Sequence, residues 1–435
     1  MRKILAFLVL AVAVLVASPA LAQTEVSGDI TDDTTWSGTV LLSGAVFVRS
    51  GATLTIEPGT LILGETATNG TLIIDRGAKI NAVGTPRNPI VFTADQARGD
   101  RFRGMWGGII INGYAPLNVP GGTAQGEGDT GTYGGNDPND DSGTMKYVRV
   151  EFAGTEFSPD NELNGIAFQG VGSAGVFEYI QVHMNKDDGV EFFGGTAYAR
   201  YLVLTGNADD SLDATDGWTG RVQFVFIQQY GDDADNGHEI DNNGDNNNLK
   251  PITSPQIYNV TLIGDPSDYG DESDLGLLLR EGTAGVFGNY IVMGFKEWGI
   301  EITDARTFRN AKSGDLMVMN SYWDDNGSAL GRVGGTMHWS DNSEDTPLPA
   351  VTTADYMAQW PGNIVDQGQP LRKPYNKAKP DPRPRNVAWK QILRDGGTTP
   401  PSGGFFDTTA TYLGAFKKGP PGSIWFRPWA AFPAD

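Results

Sequence analysis

One short phrase recurs six times between Gly165 and Thr303, and it constrains the fold more than any other feature of the chain. The copies begin at Gly165, Gly189, Ser211, Gly237, Gly276 and Gly299, separated by 24, 22, 26, 39 and 23 residues. Each is a period-2 apolar alternation, such as Gly189-Val-Glu-Phe-Phe or Gly237-His-Glu-Ile-Asp. A second apolar phrase follows each at a similar offset: Tyr179-Ile-Gln-Val, Tyr201-Leu-Val-Leu, Phe224-Val-Phe-Ile, Asn259-Val-Thr-Leu and Tyr290-Ile-Val-Met. Strands repeated at intervals of roughly 20–50 residues mark a solenoid. Turns rich in Gly, Asn and Asp lie between the strands, and no helical periodicity does. The pattern predicts an all-β chain, a right-handed parallel β-helix with one coil per repeat. The 39-residue spacing predicts a coil with an inserted loop, placed at Asp265 to Asp274.

The first 22 residues read differently. Met1-Arg-Lys is basic, Ile4 to Val16 is apolar, and Pro19-Ala-Leu-Ala22 ends in an Ala-x-Ala pattern. This is the form of a secretory signal peptide with cleavage before Gln23. The expected localisation is extracellular, cell-surface or periplasmic. The apolar run is shorter than the ~20 residues needed to span a bilayer. Residues 23–40 are expected to form an N-terminal cap, 41–334 the β-helix, and 335–435 a Pro-rich, aromatic C-terminal cap that lies back along the outside. An independent carbohydrate-binding module is the rival reading of that last segment.

The chain has 435 residues and no cysteine, so disulfides and thiol nucleophiles are excluded. Its three histidines, His183, His238 and His338, are too few for a His-based metal site. The net charge of −21 makes nucleic acid and anionic membranes poor partners, since both require a positive face. Cations and polysaccharides or cell-surface glycans fit better.

From Leu41 the strand-like alternations are broken by turn dipeptides. Gly51-Ala-Thr-Leu-Thr-Ile-Glu-Pro-Gly-Thr60, Gly77-Ala-Lys-Ile-Asn-Ala-Val-Gly-Thr-Pro86 and Asn88-Pro-Ile-Val-Phe-Thr93 stand in sequence, followed by Trp106-Gly-Gly-Ile-Ile-Ile-Asn-Gly113. This wording resembles the opening coils of secreted bacterial right-handed parallel β-helix repeat proteins, which share a pectate-lyase-like solenoid fold. The resemblance implies the fold and assigns no activity. Asn118 to Thr144 is polar and Gly-rich, and is expected to be a surface loop inserted in a coil. Trp106, Trp218, Trp298, Trp323 and Trp339 are candidate sugar platforms, with corner packing the alternative for Trp218 and Trp298.

Aligning the six phrases as stacked strands assigns inward and outward residues, because side chains alternate along a strand. Ile166, Val190, Leu212, His238, Leu277 and Ile300 point inward, as do Phe168, Phe192, Ala214, Ile240, Leu279 and Ile302. Glu191, Asp213 and Glu239 point outward, and Glu191 and Glu239 are expected to be exposed. Neighbouring coils lie about 4.8 Å apart, so these three form a column of carboxylates. The preceding turns add rows of Asp187, Asp209 and Asp235, and of Asp188, Asp210 and Asn236. Like charges in register repel. Such a column is a solvated acidic face, a cation site or a catalytic site. For the cation, oxygen ligands point to Ca²⁺, with Asp209, Asp210, Asp213, Asp235, Glu239 and Asp241 as the expected ligands.

Parallel β-helices also host pectate lyases and polygalacturonases. For a Ca²⁺-dependent polysaccharide lyase, Asp213, Glu239, Asp241 and Arg280 would carry the chemistry. For an inverting glycosidase, carboxylates two coils apart meet the required separation of about 6.5–9.5 Å. Stacked acids meet such spacings by chance, and Arg280 beside Asp241 is also explained as an ion pair. The reading preferred from the sequence is a secreted or cell-surface, non-catalytic, adhesin-like scaffold, with the lyase or glycosidase acting on acidic polysaccharide as the alternative.

Overall fold

The computed structural model describes residues 23–158, 161–232, 234–266, 275–324, 326, 337–339, 360–365, 368–385 and 390–435. The signal peptide and the greater part of the expected Asp265–Asp274 insert lie outside the described residues. Twenty-six strands join one sheet, and every pairing within it is parallel between successive coils. The pairs Ile166↔Val190, Val190↔Leu212, Leu212↔His238, His238↔Leu277 and Leu277↔Ile300 reproduce the six-phrase register residue for residue. The twelve inward positions are all buried, eleven of them in one continuous apolar core and the twelfth, His238, beside it.

Between Ile166 and Ile263 each coil contributes a short strand and a long one. The long strands, Val176–His183, Tyr198–Thr205, Arg221–Gln228 and Gln256–Ile263, bend in the middle. The bends lie at Tyr179, Tyr201, Phe224 and Asn259, with φ of 58°, 62°, 65° and 59°. Left-handed backbone is costly for bulky side chains. Here the cost is offset by in-register stacking: Tyr147, Tyr179, Tyr201 and Phe224 form a continuous pile with centroids 4.5, 4.4 and 4.9 Å apart. In the next coil the bent position is Asn289 (φ 64°), not Tyr290, because Tyr258 pairs with Gly288. The second apolar phrase is therefore one residue out of register at Tyr290, whose side chain is buried inside the coil.

Parallel pairing begins at Gln23, where Gln23–Ile30 lies on Thr39–Val48. Two other expectations are corrected. The extra length of the 39-residue repeat is shared by residues 242–255, which separate His238–Asp241 from Gln256–Ile263. A helix, Ala305–Ser313, fills one corner where no helical period was read. It is anchored by Asn310, whose Nδ2 donates to the carbonyls of Gly282 and Thr283 at 2.8 and 2.9 Å. Among the described residues no helix is long and apolar enough to cross a membrane.

The C-terminal segment runs back along the outside of the long strands. Leu393, Leu413, Phe416, Phe426 and Trp429 pack on Val203, Phe226, Ile263, Ile291 and Met293, forming a second apolar cluster. Amides on the coils hold its backbone: Asn259 Nδ2 donates to the carbonyls of Ala410 and Tyr412 at 3.0 and 2.8 Å, and Asn289 Nδ2 to Thr398 O at 2.8 Å.

Candidate metal centre

Glu191, Asp213 and Glu239 are Cα partners on three consecutive short strands, Val190–Phe193, Leu212–Thr215 and His238–Asp241. The turns before the strands stack as well. Asp188 Oδ1 accepts the Asp210 N–H at 2.9 Å, and Asp210 Oδ1 accepts the Asn236 N–H at 2.7 Å. The two rows converge on one set of oxygens. Four overlapping triads form: Asp187, Asp188 and Asp209; Asp188, Glu191 and Asp213; Asp209, Asp210 and Asp235; Asp210, Asp213 and Glu239. In each triad one oxygen per residue lies within 4.8 Å of the others. Two ligands of one Ca²⁺ at about 2.3–2.6 Å are at most about 5 Å apart, so each triad fits within a single coordination sphere.

Five of the six expected ligands, Asp209, Asp210, Asp213, Asp235 and Glu239, belong to these triads. Asp241 stands apart, because its two carboxylate oxygens receive Arg280 Nε at 2.9 and 2.8 Å, while Arg280 Nη2 reaches Glu239. Asp187, Asp188 and Glu191 join the centre although they were not among the expected ligands. Their place in the same rows is the sequence signal for them.

The expected exposure of Glu191 and Glu239 is overturned. Glu191 is 7% exposed, Asp188 6% and Asp210 4%, and the Glu239 side chain is 13% exposed. Asp209 alone among the triad residues is exposed. The cause is the insert after Asn112, which is a clasp across the acidic sheet. It crosses three coils in succession: Ala115 N–H donates to Gly170 O at 2.8 Å, Gly195 N–H to Pro116 O at 2.9 Å, and Asn118 N–H to Asp216 O at 2.9 Å. Asn118 Nδ2 then ties it to Asn242 Oδ1 at 2.9 Å. Tyr133 returns over the strand ends, edge-on to Phe193 at 6.0 Å. Glu127 on the same insert and Glu162 beyond it add two carboxylates to the field. Nothing in the sequence spacing places them there.

Burial without water makes charge expensive. Desolvation, reinforced by neighbouring carboxylates, pushes Asp187, Asp188, Glu191 and Asp210 well above the usual carboxylate range. Glu239 rises to about 9 for the same reasons, with Arg280 opposing. Glu127 rises to about 7 through burial and the charges of Asp213 and Glu162. Asp213 rises only to about 6, because its hydrogen bond with Glu191 and the Arg280 charge counter its burial. The hydrogen bond between the two raises Glu191 and lowers Asp213, so it favours the proton on Glu191 and the charge on Asp213. A divalent cation held by Asp188, Glu191, Asp210, Asp213 and Glu239 would supply the charge that those protons supply in its absence.

The other sequence candidates fall elsewhere. His238 is fully buried, with Nδ1 2.9 Å from Gly237 O and Nε2 3.3 Å from the Tyr290 hydroxyl. His183 is on a different strand, between Thr205 Oγ1 and Pro433 O, both at 2.8 Å. Trp106, Trp218 and Trp323 are buried and form no sugar platform; Trp218 stacks on Phe192 at 4.2 Å. The side chain of Trp339 lies outside the described residues.

Comparison with known proteins adds one match. A family model described as pectate-lyase-like beta helix domain matches residues 28–360. No curated protein and no solved structure matches the chain. The wording of the opening coils, the all-parallel stack and the extent of that match agree, and the chain belongs to the family of pectate-lyase-like beta helix domains.

Proposed function

We propose that this protein is a secreted or cell-surface β-helical scaffold, non-catalytic and stabilised by Ca²⁺, that presents its faces to extracellular glycans. One observation carries the metal: eight carboxylates, each within 4.8 Å of partners in its triad, with Asp188, Glu191 and Asp210 buried. Oxygen-only ligands suit a hard cation that accepts six to eight of them. Bound Ca²⁺ would neutralise the buried charge and draw the stacked turns and the clasp together.

The lyase or glycosidase alternative rests on the same residues, and their geometry argues for the scaffold. Arg280 is spent on Asp241 and Glu239 and is not poised as a proton acceptor. The carboxylates that would have to meet a polymer are covered by the insert. The secretory reading rests on residues 1–22, with their basic start, apolar run and Ala-x-Ala ending.

The test is the melting temperature of the purified protein in EDTA, in millimolar Ca²⁺ and in NaCl of matched ionic strength. Ca²⁺ should stabilise beyond NaCl, by about 2.7 kcal/mol at a hundredfold excess over Kd. Equal effects of Ca²⁺ and NaCl would reduce the centre to a screened acidic face. Unsaturated products from a uronate polymer in the presence of Ca²⁺ would overturn the non-catalytic reading.

A further inference from the structure

Arg221 is the one Lys or Arg between Asp209 and Asp245, and the acidic centre does not use it. It opens the long strand Arg221–Gln228, which belongs to a different stack from the acidic column. There it borders an open cleft of about 440 Å³, lined by Val176, Phe177, Tyr198 and Arg200 from the coils and by Gly403 to Phe405 from the C-terminal segment. That volume lies within the usual range of small-ligand sites.

The two arginines at this cavity are in different states. Arg200 is committed: its Nε donates to Glu178 Oε1 at 3.1 Å and its Nη1 to Phe405 O at 3.0 Å. The Arg221 backbone N–H donates to Ala197 O at 3.4 Å, while its guanidinium makes no hydrogen bond and no ion pair among the described residues. Its guanidinium lies over the Tyr198 ring, 5.1 Å from the centroid. That contact leaves its N–H donors unspent. Tyr198 and Phe405, 5.0 Å apart and tilted by 52°, form an apolar wall beside it. Gly403 and Gly404, with φ of 130° and 91°, bring side-chain-free backbone up to the Arg221 guanidinium. Arg221 is half-buried.

We propose that this cavity is a binding site for a small carboxylate-bearing ring compound, its carboxylate received by Arg221 and its ring lying against Tyr198 and Phe405. A guanidinium accepts a carboxylate through two parallel N–H bonds, and the aromatic wall covers the apolar face of a ring. Sugar acids and aromatic acids share this chemistry.

Calorimetric titration of the full protein with glucuronate and with benzoate tests the site and separates the two sources. Glucose and benzyl alcohol are the uncharged controls. At least one carboxylate should bind at one equivalent, and its neutral counterpart should not. Arg221→Gln should weaken that binding tenfold or more, as expected for a charged hydrogen bond. Arg221→Lys should fall between, because it keeps the charge and loses the fork. Phe405→Ala should weaken binding while leaving Arg221 in place, and it reads the same site if Arg221→Gln does not fold. Arg98→Gln, at an exposed arginine elsewhere, should change nothing. Failure of both carboxylates to bind, or unchanged binding in folded Arg221 and Phe405 variants, would refute the site. These outcomes are independent of Ca²⁺, because the cavity and the acidic centre are on different stacks.

Discussion

At the scale of single residues, the inward and outward positions of one strand behave as different chemistries. Phe192 is fully buried between Phe168 and Trp218, stacked on them at 4.8 and 4.2 Å. Phe192→Ala should lower stability by about 3–5 kcal/mol, with or without metal, as read by denaturant unfolding. One strand later, Asp210 gives the opposite sign. It is 4% exposed and accepts the Asn236 N–H through Oδ1. Asp210→Asn keeps that acceptor and removes a buried charge. In EDTA at pH 8 the variant should melt higher than the wild type, and in Ca²⁺ the order should reverse. A variant that melts lower in both conditions would mean that the charge is compensated within the protein and needs no cation.

At the scale of elements, two additions outside the repeat determine what the coil presents. The clasp is fastened by Asn118, which is 3% exposed and donates to Asn242 and, at 3.2 Å, to Pro251 O. Asn118→Ala should cost about 1–3 kcal/mol, the penalty for stranding buried acceptors. It should also diminish the Ca²⁺-induced rise in melting temperature, because Glu127 and the roof of the centre are on the same insert. The C-terminal segment depends on Asn259, which combines a left-handed φ of 59° with two bonds to the tail backbone. Asn259→Asp tolerates the same backbone and loses both donors. Limited proteolysis with mass spectrometry should then show new cleavage within residues 398–416, with the strand signal in circular dichroism unchanged.

At the scale of the whole molecule, the metal-free protein is limited by pH on both sides. The raised carboxylates hold protons that the unfolded chain has already lost. Their contribution therefore falls as pH rises from about 4 through the values of Asp213, Glu127 and Glu239 at about 6, 7 and 9. The buried histidines act in the other direction. Burial holds His183 down to about 4 and His238 to about 3, so both stay neutral while the unfolded chain protonates below about 6.5. Each contributes stability that is present above pH 6.5 and lost towards pH 4, at about 1.4 kcal/mol per unit. Melting temperature in EDTA should therefore peak at mildly acidic pH and fall on the alkaline side. Ca²⁺ requires deprotonated ligands, so its stabilising effect should grow from pH 5 to 9, with proton release measurable by calorimetry in buffers of different ionisation enthalpy. An alkaline decline that Ca²⁺ leaves untouched would separate the decline from the centre.

The repeat by itself determined the coil. Strand period, turn residues and the spacing of the phrases are local properties, and in a solenoid each coil meets only its neighbours, so local agreement carries through the fold. The register of Phe192 on Ala214 and of Glu191 on Asp213 follows from them. Tyr290 marks where the inference fails, because its aromatic ring resembles the bent positions Tyr179 and Tyr201 while the bend itself lies one residue earlier, at Asn289. Tertiary structure alone decided how much water reaches the acids. Residues 113–142 carry no repeat to reveal where they lie, and their hydrogen bonds join positions more than fifty residues apart, from Ala115 to Gly170 and from Asn118 to Asn242. The cavity at Arg221 has the same origin, since one wall comes from the coils and the other from Phe405, over 180 residues later. A column of carboxylates is written in the sequence. Its burial depends on contacts between segments remote along the chain, and burial is what turns a charged face into a candidate cation site.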